Sequence, residues 1–457
     1  MTINIHDQMH RRTIQFIGSA LILAGFVACS RISNDGMENA PRLWQPIESS
    51  VQLPRSPETI RSIPIKVNNR GLIKSSGNKR FLMPLPDGGS LTVVKEWQER
   101  VGDNAFVWHG KVKGDADSFV TLTVVNKSLM GTILSSTGNI YRLTQANGTD
   151  FFEEVDPSKI VPVTIDKVPH PVDVRDIVTQ PLPPSVFMTC PNMNATRIDI
   201  MVLYTQKALE GAGGEDRIVG AVGQGIGETN ESFCSSDVNL QLNLVHLAEV
   251  SDSSFTDAGP PDTAKLALHN NTIKDTNGET VGELRDKWKA DLVVLLVETT
   301  GFSAGDSDQF NGNPDKAFSV VVRQYATGDS GAYSFAHEVG HLLGANHDRA
   351  DTDTGNTGAN DSGFNHGHVQ FSTSSSHVAF LHGQGFNWFP WRTIMATSIS
   401  CQNCARILLW SNPAVKFQGD ATGVPLVTDK GGVIEHLLAE DNHYMLNLDG
   451  PVVAGFR

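Results

Sequence analysis

Three histidines lie close together between residues 337 and 347, in a pattern that can bind a metal ion. His337 and His341 are four residues apart, so on a helix both imidazoles project from one face. Gly344 is suited to end that helix, because glycine tolerates the left-handed conformation found just past a helix end. A turn there would carry His347 back to the same ion. Three histidines leave a fourth tetrahedral position open for water, so the spacing predicts a catalytic zinc site.

Glu338 is the candidate general base of this site. It follows the first ligand directly and is placed to take a proton from a zinc-activated water and pass it to a leaving amine. Zinc lowers the pKa of such a water to about 7 and polarises the carbonyl group that is attacked. The alternatives are a chance match on an ordinary helix and a structural zinc. Structural sites usually fill all four positions and favour cysteine, so the residues favour catalysis.

The segments before this site must position it. Phe335, Val339 and Leu342 recur at helical spacing and form an apolar stripe opposite the ligands. Further upstream, apolar strands alternate with helical patterns, which predicts a mostly parallel sheet with helices on its faces. The predicted strands are Ile198–Tyr204, Leu240–Leu244, Asp291–Glu298 and Ala317–Arg323, and the predicted helices are Asp216–Phe233, Val281–Ala290 and, near the C-terminus, Val433–Leu448.

The N-terminal half has a different pattern. Between about Leu53 and Val155, short runs such as Ser118–Val124 alternate with period two, which predicts a β-rich region. His109 stands alone there, and we interpret it as a packing or surface residue. Six prolines follow between Val161 and Pro184 and predict an extended linker, because proline fixes φ and lacks an N–H. A β-rich region, a linker and then a catalytic domain is the order expected of a zymogen.

The first 28 residues predict export. Two arginines precede the apolar run Thr13–Ala28, which is shorter than the roughly 20 residues that span a bilayer and fits a signal peptide. Cys29 follows a small residue, as in a bacterial lipobox whose cysteine is lipidated, although Phe26 departs from the usual leucine. An ordinary signal cut near Ala28 is the alternative. We expect an outer-membrane lipoprotein, a cell-surface protein or a secreted protein, with membrane contact only through that lipid anchor.

The charge balance and the cysteine count of the chain restrict its possible partners and disulfides. Acidic residues outnumber basic ones, 50 against 36, and the net charge is −14. This balance argues against a nucleic-acid partner, because phosphate binding needs a basic surface. The chain has five cysteines, so at least one cannot form an internal disulfide. Lipidation of Cys29 would leave four that can pair outside the cytoplasm.

The zinc segment resembles the metzincin signature, with His337, Glu338, His341, Gly344 and His347 at the required spacing. Two further features extend the resemblance. Asp348, after the third histidine, is similar to the reprolysin branch, and Met395 within Thr393–Ala396 matches the methionine turn that packs beneath the histidines without binding the metal. Most of Ile198–Pro413 resembles bacterial reprolysin-like proteases, which include the peptidyl-Asp metalloendopeptidase family.

This resemblance implies an α/β (α+β) zincin-like catalytic domain with a twisted, mixed five-stranded sheet. Substrate would lie antiparallel to an edge strand, for which we take Ala317–Arg323. The resemblance also implies protein or peptide substrates, inhibition by the chain's own pro-region, and cutting on the N-terminal side of acidic residues. Such a preference needs a cation in the primed pocket, and Arg323 and Arg392 are the candidates.

The chain is therefore expected to contain a signal peptide, a β-rich pro-region with its linker, and a metzincin catalytic domain. The predicted bounds are 1–28, 29–185 and 186–457, and the catalytic domain divides into an N-subdomain to about 347 and a C-subdomain at 348–457. The second hypothesis is a zinc-binding surface protein or adhesin that has lost catalysis, but intact Glu338 argues against it.

The remaining cysteines have two interpretations each. Cys401 and Cys404 form a C-x-x-C pair, for which we favour a structural disulfide behind the methionine turn over a redox or zinc pair. Cys190 and Cys234 would then pair and tie the start of the catalytic domain to its first helix. Alternatively, the Cys190 thiolate caps the zinc in the zymogen.

A polar stretch follows the zinc segment and offers a second set of oxygen and nitrogen ligands. A calcium or second metal site is one interpretation, and a solvated loop near the mouth of the active site is the one we favour. The residues concerned are Asp351, Asp353, Asp361, His366 and His368.

Overall fold

The computed structural model describes most of residues 40–457. The residues within that range that it does not describe are 52, 54–55, 69–71, 73–78, 161–189, 252–254, 256, 258–260, 299–302, 311, 350–362, 371–389, 398–400, 402–403, 426, 429–433 and 436–438. The predicted signal peptide, Cys29 and the proline-rich linker lie outside the described residues. Among the helices that are described, none combines the length and apolarity needed to cross a bilayer.

The N-terminal part forms one antiparallel sheet of nine strands. From β3 to β9, consecutive strands are neighbours in the sheet and are joined by short turns; Asn147-Gly148, for example, has positive φ at both residues, as a two-residue hairpin of the primed type requires. The strand order is β1-β2-β9-β8-β7-β6-β5-β4-β3. The strands are β1 (Trp44–Pro46), β2 (Thr59–Val67), β3 (Arg80–Pro84), β4 (Ser90–Val101), β5 (Ala105–Val112), β6 (Asp115–Val125), β7 (Ser128–Leu134), β8 (Ile140–Ala146) and β9 (Thr149–Val155).

A second, mixed sheet of five strands is formed by residues after 190. Its order is β11-β10-β12-β14-β13, and every pair is parallel except β13–β14. Strand β12 is buried along its whole length, which explains its unbroken apolar sequence. The strands are β10 (Thr196–Thr205), β11 (Leu240–Val250), β12 (Leu292–Val297), β13 (Gly305–Ser307) and β14 (Phe318–Val322), and the helices are α1 (Gln206–Ala212), α2 (Glu215–Ser235), α3 (Pro261–His269), α4 (Val281–Trp288) and α5 (Ser334–Leu342).

The substrate edge predicted at Ala317–Arg323 is wrong. Strand β14 occupies that segment and pairs with β12 on one side and β13 on the other, so it lies inside the sheet. The strand at this end of the sheet is β13, whose three residues are Gly305, Asp306 and Ser307. A run so short and polar carries no strand pattern, and only its pairing with β14 makes it a strand.

The C-terminal part consists of short strand pairs and one helix. The helix predicted at Val433–Leu448 is misplaced: α6 begins at Asn442, where Asp441 caps the backbone N–H of Tyr444 at 3.0 Å. Residues 434–435 instead form a strand. The remaining elements are β15 (Val369–Gln370), β16 (Trp391–Arg392), β17 (Ala405–Arg406), β18 (Lys416–Phe417), β19 (Asp420–Ala421), β20 (Val427–Thr428), β21 (Ile434–Glu435) and α6 (Asn442–Val453).

Helix α2 lies between the two sheets. It packs on β11 with one side and on β5, β6 and β7 with the other. One apolar core consequently contains residues of both sheets, including Val107 and Phe119 from the first and Ile200 and Val294 from the second. Residues 40–457 form a single compact unit.

Candidate metal centre

Helix α5 carries two of the predicted ligands and is buried along its whole length. It ends before Gly344, which has φ +87°. A Cβ at this position would lie 2.3 Å from Asp449 Oδ2 and 3.0 Å from Met445 Cγ, so glycine is required both by the turn and by the approach of α6. The tight turn brings His347 back beside the helix.

The three histidines converge through their Nε2 atoms. His347 Nε2 lies 3.1 Å from His337 Nε2 and 3.1 Å from His341 Nε2. Two nitrogens bound tetrahedrally at 2.0–2.1 Å from one zinc stand roughly 3.3 Å apart, so the observed spacing fits that ion. All three residues are buried, and they are the one such cluster of histidine, cysteine and carboxylate side chains within the part of the chain that the structure describes.

Backbone carbonyls orient two of the rings. His337 Nδ1 donates to Ile394 O at 2.9 Å, and His341 Nδ1 donates to Ala345 O at 3.0 Å. A carbonyl oxygen only accepts, so Nδ1 carries the proton in both rings and Nε2 presents its lone pair. This is the tautomer that a metal ligand needs, and the donor set suits zinc.

Glu338 projects toward the edge strand β13. It is 1% exposed, and Ser307 Oγ lies 2.8 Å from its Oε2 and 2.9 Å from its backbone oxygen, with the hydroxyl donating. A Cβ on Gly305 would come within 2.3 Å of Glu338 Oε1, so only glycine leaves room for the carboxylate there. Sequence reasoning missed both Gly305 and Ser307, because no spacing pattern links them to the zinc segment.

The methionine-turn segment packs directly under α5. Met395 is fully buried, and a Cβ on Gly340 would lie 2.6 Å from its sulfur, so the helix and the turn are in close contact. The next residue but one, Thr397, donates its backbone N–H to Asp348 Oδ1 at 2.7 Å. Asp348 therefore ties the loop of the third ligand to the turn below the first.

Two buried arginines hold the same turn. Arg392 Nη1 and Arg406 Nη2 donate to Ala396 O at 2.7 and 3.1 Å, and Arg392 Nε donates to Cys404 O at 3.3 Å. Burial, reinforced by the charge of Arg406, lowers the pKa of Arg392 well below its usual value. The other candidate specificity residue, Arg323, forms a bidentate pair with Glu298 at 2.6 and 2.8 Å.

Both favoured cysteine pairs are bonded in the structure. Cys190 is linked to Cys234 at the end of α2, and Cys401 is linked to Cys404 behind the methionine turn. Because Cys190 is in a disulfide, its thiolate is not available to cap a zinc ion in this state of the chain.

The polar stretch after the zinc segment is described only in part. Asp351, Asp353 and Asp361 lie outside the described residues. His366 Nδ1 lies 2.8 Å from the backbone oxygen of His347, and His368 Nδ1 lies 2.5 Å from Glu440 Oε2. These two histidines thus brace the loop of the third ligand and the chain before α6.

Comparison with known proteins places this geometry among metallopeptidases. The family model Reprolysin_5, described as metallo-peptidase family M12, matches residues 194–409. The chain is 27% identical over 369 residues to a peptidyl-Asp metalloendopeptidase of Stenotrophomonas maltophilia (strain R551-3). The aligned region covers 76% of this chain and 79% of that protein. A match of that extent is longer than residues 186–457 and so includes part of the N-terminal region.

Two further similarities were found. A peptidyl-Asp metalloendopeptidase of Pseudomonas fragi is 30% identical over 136 residues, which cover 28% of this chain and 77% of that protein. The crystal structure of metalloproteinase-II from Bacteroides fragilis aligns with a TM-score of 0.34 and 13% identity, over 59% of this chain and 82% of that one.

Proposed function

Since the chain belongs to metallo-peptidase family M12 and is a metallopeptidase, we propose that it is a zinc endopeptidase with Glu338 as general base. The observation that carries this proposal is the convergence of three histidine Nε2 atoms beside a buried glutamate on one helix. His337, His341 and His347 would hold the ion. When bound, zinc supplies a water of lowered pKa and a Lewis acid for the carbonyl of the substrate.

The chain's own residues then perform the proton transfers. Glu338 accepts a proton from the attacking water at a carboxylate oxygen and donates it to the nitrogen of the leaving amine. Ser307 fixes the direction of that carboxylate by donating a hydrogen bond to it. The Nδ1 contacts to backbone oxygens keep His337 and His341 from rotating.

The substrates are proteins or peptides, and we propose cleavage on the N-terminal side of acidic residues. The names of the relatives, peptidyl-Asp metalloendopeptidases, support this preference. Arg392 and Arg323 are the candidate cations for this preference, and Arg392 already donates to the backbone oxygens of Ala396 and Cys404. Arg323 is a weaker candidate, because Glu298 already neutralises its charge.

We also propose that the protein is an exported zymogen. Residues 1–28 would act as the signal peptide, Cys29 as the lipid anchor, and 29–185 as a pro-region that inhibits the catalytic domain at 186–457 until the linker is cut. The disulfides support an oxidising compartment outside the cytoplasm.

The test is to map cut sites by mass spectrometry in denatured proteins, with the zinc-loaded protein and with the same protein after chelation. We expect cuts before aspartate and glutamate that disappear on chelation and return with zinc. A folded, zinc-loaded mature protein that leaves every peptide intact would instead identify a zinc-binding surface protein without catalysis. Cuts unrelated to acidic residues would refute the proposed preference alone.

A further inference from the structure

Helix α2 is buried on almost all sides. Of its 21 residues, 16 are buried, and these include polar residues such as Gln224, Asn230 and Glu231. A helix at the surface of a domain buries one apolar stripe and exposes the opposite face. Helix α2 therefore packs against both sheets, with the five-stranded sheet on one side and the nine-stranded sheet on the other.

Glycines shape the face that meets the nine-stranded sheet. A Cβ on Gly223 would lie 2.7 Å from Ala105 Cβ, and a Cβ on Gly227 would lie 2.6 Å from Val107 Cγ1. One turn earlier, Gly220 lies under Met130. The sheet thus touches the backbone of the helix, which buries the peptide groups as well as the side chains.

Buried polar contacts cross the same surface. Trp97 Nε1 donates to Glu231 Oε2 at 2.7 Å, and Asn230 Nδ2 donates to Glu99 Oε2 at 2.9 Å. Gln224 Nε2 donates to Thr132 Oγ1 at 2.9 Å. If the nine-stranded sheet dissociated, these polar groups of α2 would lose their hydrogen-bond partners. The apolar face of α2 that now lies in the shared core would become exposed to water.

A second set of contacts extends the surface beyond α2. Asp117 Oδ2 accepts from the backbone N–H of Gln418 at 2.9 Å, and Arg142 Nη1 donates to Asp329 O at 3.2 Å. The sheet is thereby connected to the C-terminal part of the chain as well as to the segment before α5.

From these contacts we propose that the nine-stranded sheet stays bound to α2 after the linker is cut, so that the mature enzyme is a complex of two fragments. The partner of the outer face of α2 is residues 44–155 of the same chain. This proposal rests on the proposed function, in which the linker is the site of processing. Activation then results from the cut itself and does not require release of the sheet.

The test uses the full chain with a recognition sequence for a site-specific protease inserted between residues 165 and 180. Glu338→Gln is included to prevent self-cleavage. After cutting, we expect the two fragments to elute together in size-exclusion chromatography at micromolar concentration and to separate in urea. Separate elution of the N-terminal fragment from a folded catalytic fragment that still binds zinc would overturn the proposal.

A pair of variants on one helix tests the surface itself. Gly223→Leu places a large side chain against Ala105, whereas the control Ala221→Leu faces a cavity of about 400 Å³ between α2 and the β8–β9 turn. We expect Gly223→Leu to release the cut N-terminal fragment and Ala221→Leu to retain it. Equal retention by both variants would show that α2 is not the binding surface.

Trp97→Phe tests the same surface with a milder change, in case Gly223→Leu does not fold. It keeps the aromatic packing but removes the donor to Glu231, so we expect the fragments to dissociate roughly tenfold more readily. An unchanged dissociation constant would count against the proposed surface. None of these readouts depends on peptidase activity, which is measured separately on cut protein with Glu338 intact. Loss of the two-fragment complex and loss of the proposed function are therefore distinguishable.

Discussion

The described part of the chain buries histidine beside glutamate in two places, and the two arrangements differ in where the ring nitrogens point. At the metal centre, Nδ1 of His337 and of His341 bonds to backbone oxygens, and the Nε2 atoms converge. Between the nine-stranded sheet and α2, His109 has Nε2 3.1 Å from Glu99 Oε1 and Nδ1 3.5 Å from Glu231 Oε2.

In the second arrangement a carboxylate lies beside each nitrogen of His109, and within the described residues His109 is not part of a cluster that could hold a metal ion. Its ring also stacks on Trp97 with centroids 3.8 Å apart. Burial and residue type are the same in both places. The two sites differ in their partners. At the metal centre, backbone carbonyls hold Nδ1 of two rings and three Nε2 atoms converge, whereas at His109 a carboxylate lies within 3.5 Å of each ring nitrogen.

The largest effects on zinc binding and stability are expected from replacing a metal-site histidine or His109 by alanine. His341→Ala removes a ligand, so we expect loss of bound zinc and a fall in kcat/KM of more than about 100-fold. Removing a group that only hydrogen-bonds to a metal ligand already lowers activity by up to about 100-fold, and losing the ligand itself should cost more. His109→Ala should keep its zinc and lower the free energy of unfolding by roughly 2–4 kcal/mol, because Glu99 and Glu231 lose a buried partner. Zinc analysis and urea unfolding measure the two effects. Zinc loss in His109→Ala would abolish the distinction.

A buried carboxylate on α2 provides the next prediction. Burial raises the pKa of Glu228 to about 8, although Gln224 and the backbone N–H of Gly328 donate to it. Its value in the unfolded chain is near 4.5, so the folded state holds the proton more tightly. The stabilisation is complete below about pH 4.5 and is lost as pH rises toward about 8, by a few kcal/mol.

Glu228→Gln should remove this part of the pH dependence. Urea unfolding at several values between pH 5 and 8 gives the slope for each protein. Asp306 and Asp449, whose pKa values burial raises to about 7, add to the slope in both proteins, so the difference between the two isolates Glu228. Parallel slopes would mean that Glu228 is ionised in the folded protein.

The smallest effect is expected at the edge strand. Ser307→Ala removes the donor that fixes the Glu338 carboxylate, so we expect kcat to fall about tenfold, with KM and zinc content unchanged. Ser307→Thr keeps the hydroxyl and should restore most of kcat. A loss that Thr does not rescue would show that Ser307 only fills space.

The zinc segment could be predicted from the sequence because its information is local. His337, His341, Gly344 and His347 lie within eleven residues, and helix geometry alone relates their directions. The strands at β10 and β12 and the helix α2 were predictable for the same reason, since each has a period that one segment contains. Met395 was accessible only through the resemblance to a known signature.

The other parts of the site depend on pairing between distant segments. Ser307 reaches Glu338 across 31 residues because a three-residue strand pairs with β14. His109 was predicted to be a packing or surface residue, and the structure buries it between carboxylates of β4 and α2. Sequence spacing cannot show such contacts, and it also placed the sheet edge and the C-terminal helix wrongly.

In the proposed mechanism, Glu338, the carboxylate beside the three histidines, performs the proton transfers. The most direct measurement is the zinc content and kcat of Glu338→Gln against the unmodified protein in one preparation. We predict one zinc per chain in both and a kcat about 10²–10⁴-fold lower in the variant, the usual contribution of a general base. A zinc-loaded Glu338→Gln protein with an unchanged kcat would contradict the role of Glu338 as general base.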